Sequence, residues 1–428
     1  MRPTAIYAAL LAATCLVVFA PAYSAGITNW DDDVYLRAPA SLTTYVMGNY
    51  HPLTMLSYAI SGRNPAVLHA TNVALHAITA VLLFFLLLEL TASQFPAFVG
   101  ALIWAIHPLR VESVVWISER KDVLCGLFYV AALIAYVRKK FWLTLAFFIL
   151  ALLSKGMAVS FPLALVAIDF LQRRRITLRD KIPFFALSIL FGAIGYAAQR
   201  VTTEFAEKPL PLSAIEKALF SFRAIFFYLG KLVFLVKLSA FYRYPNAITL
   251  ADWIAPLLLV ILGLFAMRVR SLAFAYFFFI ATIAVTLPMF SVGRTIAADR
   301  YTYIPSIAFA VILSRVIGEG SRMTMLIAIV AAALGVMTFE RSKVWHDSVS
   351  LWSSVIEYDP HVALPYNARG VALAQQGHNA AALRDLNAAI EIDSCYAMAL
   401  RNRIVVENRL GDAAGVARDR DRLSRCQR

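Results

Sequence analysis

Residues 66–90 read AVLHATNVALHAITAVLLFFLLLEL, a run of twenty-five positions whose titratable side chains are His69, His76 and Glu89, with no Lys, Arg or Asp. A helix that crosses a bilayer needs about 20 consecutive, mostly apolar residues, so this stretch predicts a transmembrane helix. Around it, 61% of the 428 residues are hydrophobic. That excludes an ordinary soluble domain and predicts a polytopic membrane protein.

Further apolar runs lie near 4–23, 95–113, 122–137, 141–153, 156–171, 182–199, 218–238, 252–268, 271–290, 301–317 and 322–339. The first could end in a cleavage site at Ala22-Tyr23-Ser24-Ala25, but it approaches spanning length and is expected to stay as an uncleaved anchor. Prolines and glycines are scattered, so no long disordered linker is expected. The net charge of +14 lies largely in short loops between apolar runs, where Lys and Arg set orientation, so nucleic acid is not an expected partner.

Three basic groups orient the runs: Arg138-Lys139-Lys140, Arg173-Arg174-Arg175 with Arg179 and Lys181, and Arg268-Val269-Arg270. All should face the cytoplasm. That holds for the third only if 218–238, which carries Arg223, Lys231 and Lys237, does not cross. It is expected to be an interfacial or re-entrant helix on the outer side. The expected fold is all-α: a helical bundle of about eleven spans over residues 1–339, then a small helical domain over 340–428 with an external C-terminus.

In that last region Tyr366, Gly370, Leu373, Gly377, Ala382, Leu386 and Ala389 follow tetratricopeptide spacing, and Asp359-Pro360 and Asp393-Ser394 are one repeat length, 34 residues, apart. One repeat is expected over 363–396, flanked by a half repeat near 346–360 and a degraded one over 397–425. The repeats could bind a protein partner or, through the arginines from Arg401 onward, acidic lipid heads. Cys395 and Cys426 either pair or remain free thiols; no cysteine has zinc-ligand spacing.

Chemistry gathers in the polar segments expected on the outer face. The loop 24–65 holds Asn29-Trp30-Asp31-Asp32-Asp33-Val34-Tyr35 and His51-Pro52-Leu53-Thr54. Three adjacent carboxylates are costly near hydrocarbon and mark a polar cavity. Carboxylates with aromatic and imidazole groups suit sugar handling, by hydroxyl hydrogen bonds, base catalysis and stacking. Trp30 and Tyr35 could equally be interfacial belt residues.

The second segment, His107 to Asp122, is expected to break at Pro108. It offers Arg110, Arg120 and Lys121 for a phosphate, with Glu112, Glu119 and Asp122 to orient them. Ser154-Lys155-Gly156 and Asp299-Arg300-Tyr301 add two more cations. Aspartates facing cations on one side of the membrane are what a lipid-phosphate sugar donor requires.

These motifs, together with Ser118-Glu119-Arg120-Lys121-Asp122 and Asp299-Arg300-Tyr301-Thr302-Tyr303-Ile304-Pro305, resemble those of bacterial membrane proteins with C-terminal tetratricopeptide repeats. Those proteins are related to the transmembrane and tetratricopeptide O-mannosyltransferases of the C-type (GT-C) glycosyltransferase superfamily. The resemblance covers most of residues 25–395. It implies a multi-pass protein of the bacterial inner membrane, with active site and repeats on the periplasmic side.

It further implies an inverting transfer of mannose or another hexose from a polyprenyl-phosphate donor to a hydroxyl of a protein or glycan. The family's paired aspartates fall on Asp31 and Asp32, one of them the base, with Asp33 an extra acid. Arg300 is the first candidate phosphate contact; Arg110, Arg120, Lys121 and Lys155 follow, with His51 and Glu112 as further substrate-binding candidates. The acids could hold a divalent cation, although transfer from a monophosphate donor can run on cations and a base alone, and no cofactor is expected. The alternatives are a transporter or lipid-carrier flippase, whose internal inverted repeats are not evident here, and a non-catalytic scaffold that docks partners on its repeats.

Overall fold

The computed structural model describes residues 3–41, 43–201, 210–235, 237–290, 293–318 and 321–426. Its architecture is helical, with one two-stranded antiparallel ribbon. The first helices are α1 (Pro3–Val18), two short polar-loop helices α2 (Asp32–Arg37) and α3 (Pro52–Ser61), and the long α4 (Pro65–Thr91). Helix α4 starts where the sequence demands it: Asn64 Oδ1 accepts a hydrogen bond from Ala66 N (3.0 Å) and Pro65 fills the first helical position.

Around α4 stand α5 (Gln94–Ala105), the short α6 (Val111–Val115), α7 (Arg120–Val137), α8 (Phe141–Ser154), α9 (Phe161–Leu171) and α10 (Ile182–Val201). Next come α11 (Ala214–Val233), α12 (Leu250–Ala266), α13 (Arg270–Ile283), α14 (Ile307–Val316) and α15 (Ser321–Lys343). Two glycines let elements approach closely: a Cβ on Gly100 would lie 2.6 Å from Ala310 O of α14, and one on Gly126 would lie 2.3 Å from the Tyr303 ring. Strand β1 (Tyr242–Arg243) pairs with β2 (Thr295–Ala297), with Tyr242 opposite Ala297.

The expected eleven spans do not appear as eleven long helices. Among the described residues, Pro65–Thr91, Arg179–Arg200 and Arg322–Lys343 are long and apolar enough to cross a membrane. A fourth results if Gln94–Ala105 and Pro108–Val115, bent by 57°, are one broken span. Several other apolar helices run only 10–17 residues. The break expected at Pro108 is present, and 3-10 turns at Gly156–Ser160 and Asp299–Thr302, which the sequence reading does not foresee, interrupt two further stretches.

The bundle has two chemically distinct poles. Near the start of α4, Arg120 bonds Leu68 O and Asn72 Oδ1 (both 2.8 Å). Near its end, Arg138 pairs with Glu89 (2.8 Å) and Arg315 donates to Leu90 O (3.0 Å). At 1.5 Å per residue the span from Asn72 to Glu89 is roughly 25 Å, close to the thickness of a hydrocarbon core. The basic loops meet at the second pole, where Arg174 reaches Val137 O and Arg270 reaches Phe170 O. Helix α11 leans toward the first pole: Leu232 O lies 3.2 Å from His107 Nε2, and Tyr228 OH accepts from Ala298 N.

The C-terminal helices α16 (Ser348–Tyr358), α17 (Ala363–Gln375), α18 (Asn379–Ile392), α19 (Ala397–Leu410) and α20 (Ala413–Cys426) pack each on the next. Their details recur at 34 residues. Arg369 grips Asp385 through two hydrogen bonds, and Arg403 grips Asp419 in the same way. Gly377 and Gly411 both adopt positive φ, and Asp359 and Asp393 each cap the backbone two residues on. The stretch expected to be degraded thus keeps the full hairpin geometry, carried by polar pairs rather than by the small-residue pattern. Cys395 and Cys426 form a disulfide that closes the last hairpin.

Candidate active site

At the first pole, two adjacent aspartates meet different fates. Asp32 is buried, and its carboxylate accepts four hydrogen bonds: from Thr28 N (2.9 Å), Thr28 Oγ1 (2.7 Å), Ser118 N (2.9 Å) and Ser118 Oγ (2.5 Å). Asp31, at the start of α2, is half-buried. Among the described residues no hydrogen-bond donor reaches its carboxylate. Burial raises its pKa to about 6 against the pull of Lys121 and Arg300, with Asp32 and Glu119 adding to the rise. A carboxylate poised near neutrality and free of protein donors has the properties of a general base.

Beside it lies a compact group of charges from segments far apart in sequence. Glu119 is the hub: its carboxylate pairs with Lys121 (3.1 Å), Lys155 (2.9 Å) and Arg300 Nε (3.3 Å). Arg300 also pairs with Glu112, which accepts from Arg300 N as well (3.0 Å), and Lys155 pairs with Asp122 (2.7 Å). Burial alone would push the Glu119 carboxyl up. The three cations outweigh it and hold Glu119 well below the usual carboxylate range.

Aromatic rings frame these cations. Lys121 Nζ sits 4.5 Å from the Tyr35 ring centre and bonds Tyr35 OH (3.2 Å), while Arg300 lies 5.4 Å from the Trp116 ring and 4.9 Å from that of Tyr301. His51 packs against Tyr35 with ring centres 5.3 Å apart. Its buried Nε2 has no hydrogen-bond partner among the described residues, and burial together with Lys121 lowers its pKa to about 3, so the ring is neutral.

The sequence-predicted residues therefore separate. Asp31, Lys121, Lys155, Arg300 and Glu112 come together, with His51 at the margin. Asp33 is exposed and pairs loosely with Arg37 at 3.9 Å. Arg120 is spent on Asn72, Ser57, Ser61 and Leu68. Arg110 bonds Thr302 O (3.1 Å) and Thr302 Oγ1 (2.6 Å) between the rings of Trp104 and Tyr303. Both guanidiniums act as internal struts, with no hydrogen bond or ion pair to the acids around Glu119.

Trp30 joins neither a belt nor an open sugar platform. It stacks on Trp116 (4.6 Å) and lies against Trp352 (4.9 Å) and Trp345 (6.3 Å). The sequence reading groups Glu119 with Glu112 and Asp122 as acids that orient cations but does not single it out as the anion shared by three of them, and it gives Ser118 no role as the clamp on Asp32. Both lie in the quoted polar segment, but nothing local distinguishes their roles. Among the described residues no group of three or more His, Cys, Asp or Glu side chains is arranged to hold a metal ion.

The chain is similar in sequence to several named proteins. The chain is 38% identical over 95 residues to "Protein O-mannosyl-transferase TMTC1" of Mus musculus, covering 21% of this chain and 10% of that protein. Over most of its length it is similar to "Protein O-mannosyl-transferase F38B6.6" of Caenorhabditis elegans, at 26% identity over 81% of this chain and 54% of the relative. A third relative is "Protein O-mannosyl-transferase TMTC4" of Homo sapiens, at 23% identity, covering 83% of this chain and 59% of the relative. The chain thus spans a little over half the length of the relatives it matches broadly, and about a tenth of the one it matches over 95 residues. No protein-family model and no solved structure matches the chain. Its curated relatives are, by name, enzymes that transfer mannose to proteins, and the chain is similar to them over four-fifths of its length.

Proposed function

We propose that the protein is a membrane glycosyltransferase that moves a hexose, mannose in the first instance, from a polyprenyl-phosphate donor to a hydroxyl acceptor, with inversion at the anomeric carbon. Asp31 takes the proton of the acceptor hydroxyl. The oxygen attacks the anomeric carbon from the face opposite the phosphate, the carbon–oxygen bond to phosphate breaks, and the electron pair leaves on the phosphate. Lys121, Lys155 and Arg300 stabilise that charge, as fixed cations in a dry site do with little reorganisation. Glu112, Glu119 and Asp122 hold the cations in place and offset their mutual repulsion in the absence of substrate.

One observation carries this reading: a carboxylate that meets no protein donor among the described residues feels Lys121 and Arg300, two of the three cations gathered on the buried Glu119. The names of the relatives support mannosyl transfer to protein. The two poles support a site on the side opposite the basic loops, hence periplasmic in a bacterial inner membrane, and the Cys395–Cys426 disulfide agrees with an oxidising compartment. On this reading residues 1–339 are the catalytic membrane domain, and the hairpins recurring at 34 residues are tetratricopeptide repeats that receive the acceptor or a partner protein.

The test is to incubate membranes holding the wild type or Asp31→Asn with radiolabelled polyprenyl-phosphate sugars and identify the labelled product. Transfer by the wild type and its loss in the variant are expected. Full transfer by a normally expressed Asp31→Asn protein would sink the assignment.

A further inference from the structure

The loop that carries Asp31 is held by the C-terminal helices through an unusually complete set of bonds. Three polar groups of Asn29 are engaged there: its N–H donates to Ser348 Oγ (2.8 Å), its Nδ2 donates to Ala368 O (2.8 Å) and its Oδ1 accepts from Trp352 Nε1 (2.7 Å). Three residues earlier, Gly26 N donates to His346 O (2.8 Å). Trp30, between Asn29 and Asp31, lies in a cluster with Trp116, Trp345 and Trp352, in which Trp116 also stacks on Trp345 (5.4 Å). Trp116 in turn lies under Arg300.

The same helices reach the opposite edge of the site. Asp359, just after α16, pairs with Arg243 (2.6 Å), and the Tyr358 ring packs edge-on against Tyr242 (5.5 Å). Tyr242 OH donates to Asp299 Oδ1 (2.9 Å), next in sequence to Arg300. The segment 346–368 therefore touches both the loop of the free carboxylate and the strand pair that leads to a principal cation.

We infer that α16 and α17 form a clamp that sets the position of the Asp31 carboxylate relative to Arg300, with Asn29 and Trp352 as positioning residues. The inference rests on reading Asp31 as the base. The repeats are then a working part of the site, and a ligand that moves α16 moves the base loop with it. A purely adhesive role for this contact would need only apolar burial. The Asn29 bonds instead fix one residue in three directions, two positions before the carboxylate, while Asp32 is pinned on the other side by Thr28 and Ser118.

The test uses the full chain in lipid nanodiscs with three variants. Trp352→Phe keeps an aromatic ring and removes the indole N–H, Asn29→Ala removes both side-chain bonds, and Arg403→Ala breaks a pair within the last hairpin as a control. Two readouts need no turnover: hydrogen exchange over residues 27–36, and the pH profile of carbodiimide-driven amine labelling at Asp31, whose charged neighbours are Lys121, Arg300, Asp32 and Glu119. Trp352→Phe and Asn29→Ala should speed exchange about three- to tenfold, the scale of a lost hydrogen bond. They should also move the labelling midpoint toward that of an ordinary carboxylate, with Arg403→Ala matching the wild type. No change in Trp352→Phe and Asn29→Ala, or an equal change in Arg403→Ala, overturns the clamp. If the two positioning variants shift both readouts while the wild type transfers no sugar, the clamp stands and the transferase reading falls.

Discussion

Asp32 and Ser118, 86 residues apart, are joined twice: the Asp32 Oδ1 atom accepts from both the backbone N–H and the hydroxyl of Ser118. This ties the first polar loop to the segment that carries Glu119 and Lys121. With Thr28 on its other oxygen, Asp32 is an acceptor held by four donors, whereas its neighbour Asp31, the base of the proposed reaction, meets none among the described residues.

The two aspartates should therefore fail in different ways. Asp31→Asn should lower sugar transfer by about 10²–10⁴-fold, the usual worth of a general base, with no loss of thermal stability. Asp32→Asn places an amide against four donors and should cost about 1–3 kcal/mol of stability. Paired transfer assays and thermal melts check this, and equal melting losses in both variants would count against the division of roles.

Transfer should rise with pH as Asp31 loses its proton, with a midpoint near its folded pKa of about 6 and a plateau above. Stability should move the other way. Because this carboxyl binds its proton more tightly when folded, its contribution favours the folded state below the unfolded carboxylate value and is lost as pH rises through the folded pKa. Asp31→Asn should flatten that fall, which melts of both proteins between pH 4 and 7 would show.

Glu119→Gln removes the anion shared by Lys121, Lys155 and Arg300 and leaves like charges facing one another in a buried site. A loss of about 3–5 kcal/mol is expected, the scale of breaking a buried ion pair. Asp122→Asn, which keeps Glu119 and its three cations in place and changes a side chain that meets Lys155, Ser113 and Glu119 itself, should cost less. Denaturant titrations of both variants compare the two. A smaller loss for Glu119→Gln than for Asp122→Asn would remove Glu119 from its central place.

Thiol blocking followed by mass measurement should find Cys395 and Cys426 protected until reductant is added, and Cys15 and Cys125 unpaired. Replacing both paired cysteines by serine should destabilise the last hairpin by roughly 2–4 kcal/mol, as expected for a loop of this size. Faster hydrogen exchange in α19 and α20, with α16 unchanged, is the readout.

The sequence showed where polarity interrupts the apolar runs, and the segments carrying Asp31, Lys121, Lys155 and Arg300 were all visible as such interruptions. Pro108 announced its break, but the sequence overstated the membrane helices elsewhere, because hydropathy does not register a break in helical geometry of the kind found at Gly156–Ser160. It also ranked Arg110 and Arg120 beside Lys155, although a guanidinium consumed by Thr302 or Asn72 looks the same in sequence as one facing other charges.

What the sequence determined by itself is local: apolar runs of spanning length, basic loops, and a 34-residue recurrence strong enough to set helix hairpins. These follow from transfer free energies and spacing along one segment. The tertiary structure decided which of two neighbouring aspartates is saturated, which cations share Glu119, where Trp30 packs and that Cys395 meets Cys426. Each of those depends on side-chain direction and on partners tens to hundreds of residues away, and only packing specifies them.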